Sequence, residues 1–236
     1  MSFEKNYDLS GTQAWPTMFF TRHWSLAKQE CPKIVALLQN MKLAQGATID
    51  SGVAIGAKSA HGLYESDFDL FALPNESLEL LVQFIRSSLA LAGCVANGQE
   101  ARPQDIQVEF IDSWYHITNE GGFHDAHVHH GCSWCGIFYL QLGSSGNRIG
   151  ESAPNGGSRF YCPFHVGGSY RDYGNKYITS SIDPPIEDGM LLLFPSYLLH
   201  SGLPYRGTEN RVVVAFNARL HVTDGTPSSQ AIAKKP

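Results

Sequence analysis

The sequence predicts a mainly β protein of the jelly-roll type, with N-terminal helices packed on the outside. Two observations lead to this fold class. From residue 106 onward, short segments rich in aromatic and β-branched residues are separated by Gly, Pro, Asn and Ser, which is typical of a sandwich or barrel. Before residue 100, apolar residues recur at helical spacing. A chain of 236 residues with 43% hydrophobic content can bury one good core, so we expect a single domain over 1–236, with a helical and loop part at 1–100 and a jelly-roll core at 106–222.

Two helices are expected in the N-terminal part. The first covers Pro32 to Leu43, and Pro32 should prevent a continuous helix from Trp24, because proline lacks the backbone N–H and clashes with the preceding turn. The second follows Asn75, whose side chain can cap it, and has apolar residues at i, i+3, i+4 and i+7 until Gly93 closes it. Both helices should lie against a sheet.

Six strand segments are predicted in the core, each bounded by turn-forming residues. They are QVEFIDSWYHI (107–117), CSWCGIFYLQL (132–142), SRFYCPF (158–164), KYITSSI (176–182), GMLLLFP (189–195) and RVVVAFNARLHV (211–222). A turn around Pro204 and Gly207 separates His200 from the last strand, which begins at Arg211. We therefore expect His200 and Arg211 on neighbouring strands of one sheet.

Charge and composition narrow the range of partners. The net charge of −5 is unlike the basic surface that phosphate backbones require, so we expect no nucleic-acid partner. No apolar run approaches the roughly 20 residues that span a bilayer, so we expect no membrane partner. The five cysteines are irregularly spaced, which favours reduced thiols and a cytoplasmic location. A small-molecule substrate is expected, and the oligomeric state stays open, a homodimer being one option.

The segment HDAHVHHG (124–131) holds four of the ten histidines. If it is extended, Asp125, His127 and His129 share one face, because side chains alternate along a strand. An H-x-H pair then supplies two neighbouring metal-coordination positions, and His200 downstream can supply a third, leaving one side of the metal open. A solvated histidine-rich turn would also account for this segment taken alone.

Arg211 is a candidate for carboxylate binding. Its guanidinium is always charged and pairs with a carboxylate through two parallel hydrogen bonds, and a ligand held in this way could also reach the metal. An ordinary surface arginine at the start of a strand is the simpler interpretation. The two-residue period places Cys135, Ile137 and Tyr139 on one strand face and Arg211, Val213, Ala215 and Asn217 on another.

Two runs, SWYHITNEGGFHDAHVHHGCSWCGIFYL and GMLLLFPSYLLHSGLPYRGTENRVVVAFN, resemble a family of 2-oxoglutarate–Fe(II) oxygenases. The family pattern joins S-W, H-x-H and S-G-V-Y-Y to F-P-S-x-x-x-H and R-x-x-x-x-F-N. The resemblance covers about residues 107–218. It implies a double-stranded β-helix, Fe(II) and 2-oxoglutarate as cofactors, and O₂-dependent oxidation of a small organic substrate, hydroxylation by default, with release of succinate and CO₂.

On the matching positions, the resemblance implies His127, His129 and His200 as iron ligands. Arg211 and Tyr139 would hold the distal carboxylate of 2-oxoglutarate, and Asn217 is a candidate for orienting the substrate or cofactor. Most related enzymes have H-x-D, whereas this chain has H-x-H. Asp125 offers an alternative, either as a ligand together with His127 or as a residue that fixes an imidazole tautomer.

Other functions stay open at this point. Cys132 and Cys135 could join His129 and His130 in a structural zinc site, although a redox C-x-x-C is disfavoured because no βαβ unit surrounds it. A three-histidine dioxygenase of the cupin type, without 2-oxoglutarate, would explain the histidines but not Arg211 or Tyr139. A non-catalytic metal-binding jelly roll is a further alternative. Desaturation, cyclisation and halogenation also compete with hydroxylation, and the segment 159–177 offers arginines and tyrosines for a polar or carboxylate-bearing substrate.

Overall fold

The computed structural model describes residues 17–44, 61–98, 101–145, 154–163 and 180–222. Within these ranges the chain forms two antiparallel sheets and two helices. The strands are β1 (Phe20–His23), β2 (Leu63–Glu65), β3 (Ile106–Thr118), β4 (Gly122–His127), β5 (Trp134–Gln141), β6 (Ser158–Tyr161), β7 (Ser181–Ile182), β8 (Met190–Pro195), β9 (His200–Tyr205) and β10 (Arg211–Val222). The helices are α1 (Ala27–Ala44) and α2 (Glu76–Ala96), with short 3-10 turns at Leu70–Ala72 and Pro103–Asp105.

The two sheets face each other. The larger one has the strand order β1-β8-β5-β10-β3-β2, and the smaller one has the order β4-β9-β6-β7. The predicted mainly β jelly-roll architecture is confirmed by these two sheets.

The helices cover the outer face of the larger sheet, as predicted. Alternate residues of the sheet point to them, because the side-chain period of a strand is two. Leu191 and Leu193 of β8 and Val212 and Val214 of β10 are fully or almost fully buried in one cluster with α1 and α2 side chains. This cluster is the main hydrophobic core. It packs the helices on the face of the larger sheet that points away from the smaller sheet.

The intervening residues of the same strands point between the sheets. Leu192, Phe194 and Val213 form a second buried cluster with Tyr139 of β5 and Phe160 of β6. The open end of this inner space is where the candidate site lies.

Both helix predictions need a correction at one end. Helix α1 begins at Ala27 and passes through Pro32, so the proline does not start it. Pro32 and Lys28 are both exposed, so water can replace the hydrogen bond that the proline cannot make to the carbonyl of Lys28. Asn75 caps α2 by accepting from the N–H of Leu78, as predicted, but the helix continues past Gly93 to Ala96. A Cβ on Gly93 would meet Leu220 Cδ1 at 2.4 Å, so this glycine permits close packing on β10 instead of ending the helix.

The strand predictions also need corrections. The N-terminal part contains β1 and β2, which form the two edges of the larger sheet. His200 begins β9, which includes Pro204 and belongs to the smaller sheet, whereas Arg211 begins β10 of the larger sheet. The expectation that His200 and Arg211 lie on neighbouring strands of one sheet is therefore wrong. Of the predicted strand 176–182, residues 176–179 lie outside the described residues.

Helix α2 is long and apolar enough to cross a membrane by length and composition alone. Half of its apolar stretch is buried inside the structure. This is the environment of a core helix, because its buried side is the one that packs on the larger sheet.

Candidate functional site

Three histidines converge at the end of the smaller sheet. His127 ends β4 and pairs in register with His200, the first residue of β9. His129 follows in a loop, and its backbone N–H donates to the carbonyl of Ser196 at 3.2 Å. One ring nitrogen of each histidine lies within 4.8 Å of the others, which is a spacing that a single metal ion can bridge. The sequence prediction that these three residues come together is confirmed.

Backbone carbonyls fix the orientation of two of the rings. Nδ1 of His127 lies 2.7 Å from the carbonyl oxygen of Asp125, and Nδ1 of His200 lies 2.9 Å from that of Leu198. A carbonyl only accepts, so each Nδ1 carries the hydrogen and each Nε2 keeps its lone pair. This is the tautomer that presents Nε2 to a metal.

Burial keeps the cluster uncharged. It lowers the pKa of His200 to about 3 and that of His129 to about 4, with a smaller contribution from neighbouring His127 in both cases. The pKa of His127 is lowered too, again mainly by burial. Metal binding requires neutral imidazole, so the cluster holds its nitrogens in the binding form at neutral pH.

Neither competing ligand set is assembled. Asp125 is exposed, and its carboxylate accepts from the N–H of Ala126 at 2.7 Å, so it acts on His127 through its backbone carbonyl. Across the residues that the structure describes, the cluster of His127, His129 and His200 is the only group of three potential ligands that meets the metal spacing. A zinc site made of His129, His130, Cys132 and Cys135 is therefore not formed.

Arg211 lies at the opposite side of the same space. Its side chain is buried, with the residue 6% exposed, and its Nε has no hydrogen-bond partner. The guanidinium lies 5.6 Å from the centre of the Tyr139 ring, a cation–π distance. Burial lowers the pKa of Arg211, while Tyr139 and Tyr205 act in the opposite direction. No carboxylate oxygen of the described residues lies within 4.0 Å of the Arg211 guanidinium, which is the limit for an ion pair. The positive charge of Arg211 is therefore available to an anionic ligand.

Tyr139 contacts Ser158 across the sheets. The two hydroxyl groups are 2.9 Å apart, and both residues are buried. Ser158 lines the cavity beside Arg211, whereas Tyr139 lies behind it. Sequence reasoning missed Ser158, because nothing in the sequence shows which residue of β6 faces Tyr139.

Asn217 also lies behind the cavity wall. Its Nδ2 donates to Asp112 at 3.1 Å, and its Oδ1 accepts from the thiol of Cys135 at 3.2 Å. Asn217 is absent from the cavity lining, whereas Cys135 is part of it. A role of Asn217 in cofactor or substrate orientation stays a prediction, and it would act through Cys135.

One cavity of about 60 Å³ joins these parts. The three histidines line one side, and Arg211 and Ser158 line the other. Three neutral imidazoles and a buried cation without a partner in one cavity fit a metal together with a carboxylate-bearing cofactor.

Comparison with known proteins agrees with this chemistry. Residues 112–217 match the family model described as "Putative 2OG-Fe(II) oxygenase". These residues form a 2-oxoglutarate–Fe(II) oxygenase domain. This match indicates an enzyme of the oxidoreductase class, and the matched family uses Fe(II) and 2-oxoglutarate. No curated protein of related sequence matches the chain.

Solved structures show that the oxygenase has the double-stranded β-helix fold. A prolyl-4-hydroxylase from Pseudomonas putida has 15% identity and a TM-score of 0.51, with 85% of this chain and 92% of that chain covered. AviO1 from Streptomyces viridochromogenes Tue57 has 12% identity and a TM-score of 0.55, covering 89% and 91%. The non-heme alpha ketoglutarate dependent epimerase SnoN from nogalamycin biosynthesis has 11% identity and a TM-score of 0.55, covering 89% and 84%.

The oxygenase cavity is also lined by residues that sequence reasoning did not select. Trp114 and His116 alternate on β3 and line it together with His124. Nε2 of His116 lies 2.8 Å from Glu65 Oε2 and 3.1 Å from Trp114 Nε1. The two-residue period of β3 was the signal that could have identified Trp114 and His116.

In the segment 159–177, which was proposed for substrate recognition, two side chains stabilise the fold of the oxygenase. Arg159 makes two 2.8 Å hydrogen bonds to the carboxylate of Asp183. The hydroxyl of Tyr161 lies 3.1 Å from that of Ser201. These contacts join the strands of the smaller sheet, and residues 164–177 lie outside the described ranges.

Proposed function

We propose that the enzyme oxidises a small organic substrate at a site where His127, His129 and His200 hold Fe(II) and Arg211 holds 2-oxoglutarate. One observation carries this assignment. The buried guanidinium of Arg211, whose Nε has no hydrogen-bond partner, lines the same small cavity as the three-histidine cluster. The ring nitrogens of that cluster are spaced to bind one metal ion. A dicarboxylate cofactor that binds a metal at one end requires both features.

Arg211 provides the charge for the distal carboxylate. A buried cation is costly unless an anion pairs with it, so the site favours a ligand that brings a negative group to this end of the cavity. The Ser158 hydroxyl, oriented by Tyr139, adds a further hydrogen-bond donor at the same end. In this assignment Tyr139 positions Ser158 and packs its ring against the guanidinium.

The histidines provide a neutral set of ligands. Compared with a set that contains a carboxylate, three imidazoles leave the metal one unit more positive, which favours binding of the anionic cofactor. The carbonyls of Asp125 and Leu198 hold two of the rings with Nε2 directed to the metal position.

When bound, Fe(II) and 2-oxoglutarate supply the oxidising chemistry, in which O₂ is consumed, succinate and CO₂ are released, and the substrate is oxidised. The protein binds both cofactors and limits access of water to the inner end of the cavity. Trp114 and His116 line the same cavity and are candidates for contact with the substrate. Hydroxylation is the proposed outcome, as the default reaction of the family. Desaturation and cyclisation would consume the same O₂ and 2-oxoglutarate, whereas halogenation would also need a halide.

The test combines spectroscopy with product analysis. Anaerobic addition of Fe(II) and 2-oxoglutarate to the full chain should produce a weak visible absorption band from charge transfer between the metal and the 2-oxo acid. Succinate in place of 2-oxoglutarate is the matched control, because it has both carboxylates but no 2-oxo group. Exposure to O₂ should then release succinate from 2-oxoglutarate, faster with a substrate from a metabolite library.

The result also separates the alternatives. Iron-loaded, folded protein that gives no band with 2-oxoglutarate would overturn the proposal. Oxygen consumption with a substrate but without 2-oxoglutarate would instead favour a three-histidine dioxygenase.

A further inference from the structure

Cys132 and Cys135 form a close pair of thiols at the cavity wall. Their Sγ atoms are 3.9 Å apart. Cys135 lies on β5 and lines the cavity, while Cys132 is half-buried in the loop that leads from His129 to β5. A modest movement of the Cys132 loop would bring the two sulfurs to bonding distance, because only one of the two residues is fixed in a strand.

We propose that Cys132 and Cys135 are a redox-active dithiol that forms an intramolecular disulfide on reaction with hydrogen peroxide. Cys132 reacts first and Cys135 closes the disulfide. The pair is distinct from the three-histidine cluster, and the inference does not depend on the proposed cofactor roles.

The chemistry balances with one peroxide as the oxidant. The Cys132 sulfur attacks one peroxide oxygen, the O–O bond breaks, and hydroxide leaves and takes a proton to become water, so Cys132 becomes a sulfenic acid. The Cys135 sulfur then attacks the Cys132 sulfur, and the S–O bond breaks. The departing hydroxide takes up the Cys135 proton as a second water. Two thiols and one peroxide thus give one disulfide and two waters.

The surroundings give the two sulfurs different tasks. Cys132 is half-buried, and the neighbouring side chains of Cys135 and Ser196 lower its pKa to about 7, so a large fraction is thiolate at neutral pH. Cys135 is buried, and the neighbouring Cys132 sulfur and burial both raise its pKa. The thiol of Cys135 therefore stays protonated until the sulfenic acid is present.

Other functions of the pair fit less well. No third ligand completes a metal site within the described part of the chain, so a structural metal does not explain why two thiols are adjacent. The remaining cysteines, Cys31, Cys94 and Cys162, are also free thiols. The absence of a βαβ unit does not count against the dithiol, because the required geometry is present without it.

Disulfide formation would change the cavity wall, because it would break the hydrogen bond between Cys135 and Asn217. The Cys135 thiol donates to Asn217 Oδ1, and Asn217 in turn donates to Asp112. Oxidation removes the thiol hydrogen, so Asn217 loses its donor. The redox state of the pair is therefore expected to change the side of the cavity formed by β5 and β10.

In the experiment, the full chain is first reduced and kept in a metal chelator. Equimolar hydrogen peroxide is then added, and the remaining free thiols are alkylated. The chelator prevents radical oxidation by iron. Peptide mass spectrometry should show that the peptide containing both residues has lost two hydrogens and takes up no alkylating agent. Before oxidation, Cys132 should be alkylated at pH 7 about ten times faster than Cys162.

Variants identify the order of events. In Cys135→Ser, peroxide should leave a sulfenic acid at position 132 that dimedone traps, and in Cys132→Ser the intramolecular disulfide should be lost. Cys162→Ser is the matched control, because Cys162 is also half-buried, and it should oxidise like the wild type. If the wild-type peptide keeps both thiols while Cys162 is oxidised, the proposal is wrong, and this measurement needs no variant to fold.

Discussion

Arg211 shows how a single buried charge indicates a ligand. The residue begins β10, where the pattern RVVVAF would normally place apolar side chains toward the inner core. A buried guanidinium costs free energy unless its donors are used. The Tyr139 ring compensates in part through its π-face, but the Nε–H stays without an acceptor. Arg211 is therefore best explained as a binding residue.

The substitution Arg211→Met is expected to weaken 2-oxoglutarate binding by at least about 30-fold, since losing one member of a buried charge pair costs about 2–5 kcal/mol. Binding of Mn(II), used as a redox-inert metal, should be unchanged because Arg211 is not a ligand. Calorimetric titrations of both ligands measure this. Arg206→Met, at an exposed position, is the control and should behave like the wild type. Unaltered 2-oxoglutarate affinity in Arg211→Met would contradict the assigned role.

At this scale the sequence predicted residues whose chemistry is unusual in their context. His127, His129 and Arg211 were candidates because imidazoles in H-x-H spacing can bind a metal and a guanidinium can bind a carboxylate, and the resemblance to the oxygenase family gave them these roles. Ser158 and Glu65 were not recognisable, since serine and glutamate are common and their contacts depend on distances between separate strands. The C-x-x-C spacing of Cys132 and Cys135 was visible in the sequence, but the contact between their sulfurs was not.

Gly136 illustrates how tightly β5 is packed between its neighbours. The strand lies between β8 and β10, and Gly136 is opposite Leu193 on one side and Phe216 on the other. A Cβ at this position would meet Phe216 Cζ at 2.2 Å and Leu193 Cδ2 at 2.9 Å. Both neighbours are buried in the core beneath the helices, so neither can move away freely.

Gly136→Ala should therefore lower the free energy of unfolding by about 1–3 kcal/mol, the usual cost of overpacking a core. Urea denaturation of the metal-free protein measures it. Gly202→Ala in β9 is the matched control, because its Cβ would lie 3.5 Å from the nearest atom, an ordinary contact. Equal stability of the two variants would show that the core beneath the helices can adapt.

Features of helices and strands could be predicted where they depend on residues that are close together in the sequence. The Asn75 cap and the alternation of β10 depend on neighbouring residues, and both were predicted correctly. The passage of α1 through Pro32, the role of Gly93 and the assignment of β9 to the smaller sheet were not. Each depends on what packs against the element from elsewhere in the chain.

The whole molecule places the two halves of the site on different sheets. The strands that carry His127 and His200 belong to the smaller sheet, and Arg211 belongs to the larger one. In the described structure the hydrogen bond between Tyr139 and Ser158 is one polar link across the space between them. A ligand that binds both the metal and Arg211 would add a second link.

This arrangement predicts that metal and 2-oxoglutarate stabilise the protein cooperatively. Mn(II) at about 100 times its dissociation constant adds about 2.7 kcal/mol, which corresponds to a rise in Tm of about 5–10 °C for a chain of this size. With Mn(II) present, 2-oxoglutarate should raise Tm further, whereas in a chelator it should have a much smaller effect, because Arg211 alone then holds it. Thermal unfolding with each ligand and with both measures this coupling. In His200→Ala the Mn(II) shift should disappear, and in Arg211→Met the Mn(II) shift should remain while the additional shift is lost. Equal effects of 2-oxoglutarate with and without metal would mean that the two sides of the cavity do not bind one ligand together.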